Sequence, residues 1–156
     1  MNWRTVVSGL LLLHSSVDLH ASSDQRAFIS PHANRGSAVD ARGKIYRAVD
    51  YRGKPPWMLD AIYTVAPDYP RSERRQHHAG NPEVRLRLDL KTGKVVDAVL
   101  LRSCGYSVLD RNAVSAMRQW RWKPGKWQQI TIGVAFRIRD VSSPLPPGAI
   151  PIQESQ

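Results

Sequence analysis

The chain has 156 residues, room for one domain and an extension, and its 42% hydrophobic content can fill a small core. The 23% charged residues and negative mean hydropathy exclude a polytopic membrane protein. Lys and Arg outnumber Asp and Glu by 23 to 13, a net charge of +10, which speeds encounters with anionic partners without choosing among them.

The N-terminus has the order of a secretory signal peptide: a positive charge within Met1–Arg4, an apolar run over Val6–Leu13, and a small residue at Ala21. Residues 1–21 are therefore read as a signal and the rest as exported to the periplasm. An uncleaved N-terminus anchored in the inner membrane is the alternative, although His14, Ser15, Ser16 and Asp18 interrupt the apolar run. Residues 22–65 read as a flexible extension. Its first half, 22–44, is polar and aperiodic, Lys44–Tyr51 suits one short strand, Arg52–Pro56 breaks regular structure, and apolar residues return over Trp57–Val65.

Pro67 and Pro70 force extended backbone at the residues before them, and Arg71–Ala79 suits a short helix with Pro70 near its first turn. From Glu83, Val84, Leu86, Leu88 and Leu90 alternate with Arg85, Arg87 and Asp89, the period of a half-buried strand. Lys91–Lys94 is a turn containing Gly93, and Val95–Leu101 is the second strand of an antiparallel hairpin. Ser103–Tyr106 ends the hairpin. Ser107 and Asp110 resemble a capping box, and Leu109, Ala113, Val114, Met117 and Trp120 then fall on one face of a helix. Lys123–Lys126 stops the helix, and Ile130, Ile132, Val134, Phe136 and Ile138 alternate as a third strand. The tail 141–156 contains four prolines, Pro144, Pro146, Pro147 and Pro151, and reads as irregular.

These elements predict an α+β fold: a three-stranded antiparallel sheet in the order strand, strand, helix, strand, covered on one face by helix. The other face would present Arg85, Arg87, Arg137 and Arg139, either as a solvated surface or as an anion site. Cys104 is the single cysteine, so no internal disulfide supports the fold; it reads as a small turn residue rather than a reactive thiol. His77 and His78 are adjacent, a spacing that points them apart, and no other metal ligand lies at a closing distance. No paired carboxylates, nucleophile elbow or phosphate loop appears, so neither an enzymatic activity nor a cofactor is expected. No nucleic-acid-binding motif is present either.

An ordered set of short motifs resembles the C-terminal domain of TonB, the energy-transducing protein of the Gram-negative envelope. It comprises Tyr69-Pro70, the strand Val84–Leu88, an Asp89–Gly93 turn, Ser103-x-Gly105, Leu109-Asp110 with Ala113, the block Arg118–Pro124 containing Trp120 and Trp122, and a closing strand ending near Phe136. The resemblance covers roughly residues 66–140. It implies a binding domain that captures a short extended segment of an outer-membrane transporter, the TonB box, as an added β-strand on an open sheet edge. By family position that edge is the last strand: Ile130, Thr131, Ile132, Gly133, Val134, Ala135, Phe136 and Arg137. Thr131, Gly133 and Arg137 would tune the fit. Trp120 reads as core, and Trp122 as core or contact.

Family members that transduce force also carry a membrane helix that engages the ExbB and ExbD motor proteins, and a Pro-rich spacer. Neither feature is recognisable in this sequence. Two readings remain: an adaptor-like peptide-binding domain, or a structural envelope protein whose basic surface holds anionic polymers such as peptidoglycan. An open edge would also permit a homodimer.

Overall fold

The computed structural model of the chain describes residues 25–31, 36–140 and 150–151, with side chains within 36–138. The signal-peptide reading of 1–21 and most of the tail lie outside these residues. In chain order the elements are β1 (Gln25–Pro31), β2 (Ser37–Asp40), β3 (Ile45–Arg47), a 3₁₀ turn at Ala48–Asp50, α1 (Pro56–Leu59), β4 (Ala61–Tyr63) and α2 (Arg71–Arg75). They continue with β5 (Glu83–Leu88), β6 (Val95–Arg102), α3 (Ser107–Met117), β7 (Arg121–Trp122), β8 (Trp127–Asp140) and β9 (Ile150–Pro151).

The alternation of β5 produces its burial: Val84, Leu86 and Leu88 are buried, while Arg85 and Arg87 are exposed. Its antiparallel partner β6 places Ala98 opposite Leu86 and Leu100 opposite Val84. On the other side of β5, β8 sets Ile130 against Leu86 and Ile132 against Val84. One apolar sheet face results, and α3 covers it with Leu109, Ala113, Ala116 and Met117, residues spaced to share one side of a helix. Full burial of each of the larger side chains contributes about 1.5–3 kcal/mol, so this two-layer contact is a main source of stability. The α+β architecture and the strand–strand–helix–strand order are those predicted.

Several details differ. The sheet is larger than three strands: β2 and β3 extend it beyond β8, and β1 with β9 lies along the far half of β8. The helix stops at Met117, and Trp120 follows on a turn whose N–H reaches Met117 O at 3.1 Å. Ser107 is the first helical residue and makes no capping bond. Asp110 instead turns back to the preceding loop, accepting from Ser103 Oγ at 2.5 Å and from Cys104 N–H at 2.9 Å. The carboxylate thus satisfies the loop before the helix rather than the helix start.

Residues 36–65 form part of the core, in contrast to the expected flexible extension. Ala38, Ala48 and Trp57 are buried. Three indoles from the Trp120–Trp127 stretch donate into the segment: Trp120 Nε1 to Val65 O at 2.7 Å, Trp122 Nε1 to Trp57 O at 2.7 Å, and Trp127 Nε1 to Asp60 Oδ2 at 3.1 Å. The same segment pairs as β4 with β7, and Lys123 N–H reaches Asp60 O at 2.9 Å. Burial alone would push the Asp60 carboxyl up. Hydrogen bonds from Lys126, Lys123 and Trp127 outweigh it and hold the group below its ordinary value of 3.8.

A candidate strand-addition site on the central sheet

β8 is the centre of the sheet, and its length makes it so. Fourteen residues allow it to serve one row of partners on each side. Backbone N–H and C=O groups alternate in direction along a strand, so successive residues address opposite edges. Val134 N–H donates to Pro82 O at 3.1 Å, and Phe136 exchanges both bonds with Gly80 at 2.8 and 3.2 Å. Those residues, together with Ile130 and Ile132 beside β5, address one edge. Thr131, Gly133, Ala135 and Arg137 therefore turn their main-chain groups to the other edge.

That second edge is the one on which an added strand was expected, and it is not open. β2 occupies it from Trp127 to Thr131, and β1 runs along it from Val134 to Asp140 in unbroken antiparallel register. The expectation of an exposed terminal strand followed from chain order, since β8 comes last among the motif elements. The strands that cover it come from the part of the chain with no periodicity to announce them. Side chains divide by parity: Ile130, Ile132, Val134 and Phe136 face the helix side, while Thr131, Ala135 and Gly133 are buried on the opposite side. The expected water-facing arginine sheet holds in part. Arg85 and Arg87 are exposed, Arg137 is half-buried, and the Arg139 side chain lies outside the described residues. Among the described residues, β6 and β3 each pair on one side only, and β6 exposes Val96, Val99 and Leu101.

The motif residues frame this sheet. Tyr69 packs edge-on against Phe136 with ring centroids 5.1 Å apart, and its hydroxyl donates to His78 O at 2.5 Å; burial pushes its phenol up to about 12. Pro70 is the residue from which α2 starts. Gly93 takes φ +69° and lies so close to the Trp122 carbonyl that a Cβ would stand 1.8 Å from its oxygen. Ser103 Oγ accepts Gly105 N–H at 2.9 Å while donating to Asp110, so the Ser-x-Gly and Leu-Asp motifs are one hydrogen-bonded corner. Leu109 and Ala113 are core, Trp120 and Trp122 are the staples described above, and Pro124 lies in the exposed turn before β8.

The other singled-out residues are structural in their surroundings. Cys104 is half-buried, and burial pushes its thiol up to about 11. His77 adopts the left-handed backbone region at φ +56°. His78 stacks on Tyr106 at 4.0 Å and lies 2.8 Å from Glu73 Oε2. No group of three metal-ligating side chains forms among the described residues. A feature invisible to motif reading is a groove of about 490 Å³ where β4, β7, the start of β6 and the turn after α3 meet. Ile62, Tyr63 and Trp120 line it beside Lys94, Arg118 and Arg121. These come from separated segments, so no local spacing signals them.

The fold and edge define a small two-layer α+β module in which a long central antiparallel strand takes partners on both sides. Residues 65–139 match the family described as "Gram-negative bacterial TonB protein C-terminal", and this part of the chain is similar to TonB C-terminal domains. Among solved structures, the solution NMR structure of the Pseudomonas aeruginosa TonB C-terminal domain is similar, with 27% identity and a TM-score of 0.46, covering 51% of this chain and 86% of that one. No curated protein matches. The family is one of binding domains in TonB-dependent transport rather than of enzymes. Among the described residues, no helix is long and apolar enough to cross a membrane.

Proposed function

We propose that the chain acts in the periplasm, exported by its N-terminal signal, as a TonB-like domain that captures an extended segment of an outer-membrane transporter by strand addition to β8. The observation that supports this reading most directly is the register of β8 over Val134–Asp140. There a separate stretch of chain is paired along β8 as an added antiparallel strand. Such an edge supplies affinity through main-chain bonds and leaves the choice of sequence to alternate side chains. Titration of TonB-box peptides against the protein, followed by calorimetry at low and moderate salt, tests it. Saturable binding that survives the salt is expected; absence of binding to any such peptide refutes the reading.

A second reading has its own support. Arg118 and Arg121 at the groove beside Tyr63 form no ion pair among the described residues, an arrangement suited to an anionic envelope polymer such as peptidoglycan. Pelleting with isolated peptidoglycan that disappears at moderate salt, and with Arg118→Ala combined with Arg121→Ala, would favour it.

A further inference from the structure

We propose that the chain carries its own competitor for the docking edge. β1 is an exchangeable strand that holds the Val134–Asp140 half of β8 until a partner segment replaces it. This inference rests on the strand-addition reading above.

The two halves of the edge are built differently. Over Trp127–Thr131 the occupant is fixed. Ala38 of β2 is 1% exposed in the core, Ala41 N–H donates to Lys126 O at 2.8 Å, and Asp40 Oδ1 accepts Arg42 and Lys44 N–H at 2.9 Å each to pin the turn into β3. Removing β2 would open the core. Over Val134–Asp140 the occupant is a seven-residue strand, Gln25–Pro31, laid along β8 without a register shift and paired on its other side with the two residues of β9. The face of β8 beneath it does not depend on that strand for its other ladder, because Val134 and Phe136 are bonded to Pro82 and Gly80 on the opposite side.

The same alternation identifies what the edge accepts. Ala135, Arg137 and Arg139 address β1 and lie opposite Ser30, Phe28 and Arg26. A replacing segment needs backbone donors at those three positions. It tolerates proline at the end facing Val134, whose N–H is already engaged elsewhere; β1 itself has Pro31 there. The partner is thus an extended segment of about six or seven residues, antiparallel to β8, with no proline at the positions facing Ala135, Arg137 and Arg139. Occupancy by β1 weakens such a partner by the fraction of chains whose edge is free, so an edge closed in ~99% of molecules costs about a hundredfold in apparent affinity. It also shields an unpaired edge from non-specific pairing.

The test uses the protein with residues 25–31 deleted, the unaltered protein, and the free peptide Gln-Arg-Ala-Phe-Ile-Ser-Pro as probe. Amide hydrogen exchange is read by NMR. In the deletion variant the amides of Ala135, Arg137 and Arg139 should exchange at least ~tenfold faster, while those of Val134 and Phe136 stay protected and report an intact fold. Adding the peptide should restore the lost protection, whereas the unaltered protein should not bind it. Phe28→Pro in the full chain removes the donor opposite Arg137 and should loosen the same amides; it decides the matter where the deletion disturbs Val134 and Phe136.

Unchanged exchange at Ala135, Arg137 and Arg139, or a folded deletion variant that ignores the peptide, overturns the proposal. So does a transporter segment that binds deleted and unaltered protein equally. Capture of the free peptide by the deletion variant, with no transporter segment binding either protein, refutes the transport reading and leaves the competing strand standing.

Discussion

Replacing Gly93 by alanine tests how the hairpin turn is joined to the rest of the fold, and Gly125→Ala supplies the control. Both glycines have positive φ, +69° and +79°, so alanine at either position carries the left-handed backbone penalty of about 1–2 kcal/mol. They differ in what a Cβ would meet. At Gly125 nothing lies within 4 Å, whereas at Gly93 the Cβ would be 1.8 Å from Trp122 O and 2.9 Å from its carbonyl carbon. Both neighbours are backbone, so the strain cannot be relieved by turning a side chain. The turn must move off β7, which breaks the 2.9 Å bond from Trp122 N–H to Gly93 O and the adjoining Lys94–Arg121 bridge. One to two main-chain bonds at roughly 1 kcal/mol each bring the total for Gly93→Ala to about 3 kcal/mol, against about 1 for Gly125→Ala. Urea unfolding of both variants, with unchanged slope, measures the difference. In a thermal melt the gap of ~2 kcal/mol corresponds to roughly 4–8 °C for a protein of this size. Equal destabilisation by the two substitutions would show that close approach to Trp122 contributes nothing beyond backbone conformation.

Trp122→Phe should destabilise by about 3 kcal/mol in urea, since it leaves the Trp57 carbonyl without its buried donor and opens space in the core; a cost below ~1 kcal/mol would deny the staple its role. Asp60 is held below its ordinary 3.8, so its contribution is fully present above that value and is lost as pH falls through the depressed folded value. Asp60→Asn should therefore flatten the acid limb of stability below roughly pH 4, and an unaltered acid limb would contradict the assignment. Cys104, with its thiol raised to about 11, should react with iodoacetamide at pH 8 roughly tenfold more slowly in the folded protein than after denaturation, the smaller thiolate fraction being partly offset by the greater nucleophilicity of the thiolate. Comparable rates in both states would show that the thiol is not held back by the fold.

What was readable beforehand follows the range of the interactions. β5, β6, α3 and β8 announce themselves through periodicity because their burial is decided by the next few residues along the chain: Val84, Leu86 and Leu88 alternate, and Leu109, Ala113 and Met117 recur at helical spacing. The strands β2 and β3 and the residues after them have no such period. β2 is ordered by its pairing with β8 and β3 by its pairing with β2, while Trp57, Asp60 and Val65 are held by partners 55–67 positions away, in Trp120, Trp122, Trp127 and Lys126. The tryptophans were visible as apolar bulk, but their donor N–H groups specify carbonyls and a carboxylate that no local pattern could nominate. That the Ile130–Arg137 edge is covered was hidden for a related reason: the strand pattern shows a strand's own residues and not its neighbours, because strand order within a sheet is a property of the whole chain.

The two kinds of edge also explain how one sheet can be both stable and receptive. Strand addition requires main-chain groups that are unpaired or readily unpaired, and an edge of that kind normally invites aggregation. In this chain the requirement is met without loosening the core. The helix layer, the β5–β6 hairpin and the tryptophan-stapled segment hold β8 from the face and from the Gly80–Pro82 side. β2 then closes the half of the remaining edge that lies over the core. On the exchange proposed above, the stretch past Val134 is the one that opens, and there β8 keeps its bonds to Gly80 and Pro82 on the other side. A partner that takes the place of β1 there gains one row of main-chain bonds as another is given up. Its selectivity then falls to side chains rather than to the ladder, the division of labour that a recognition domain for extended segments requires.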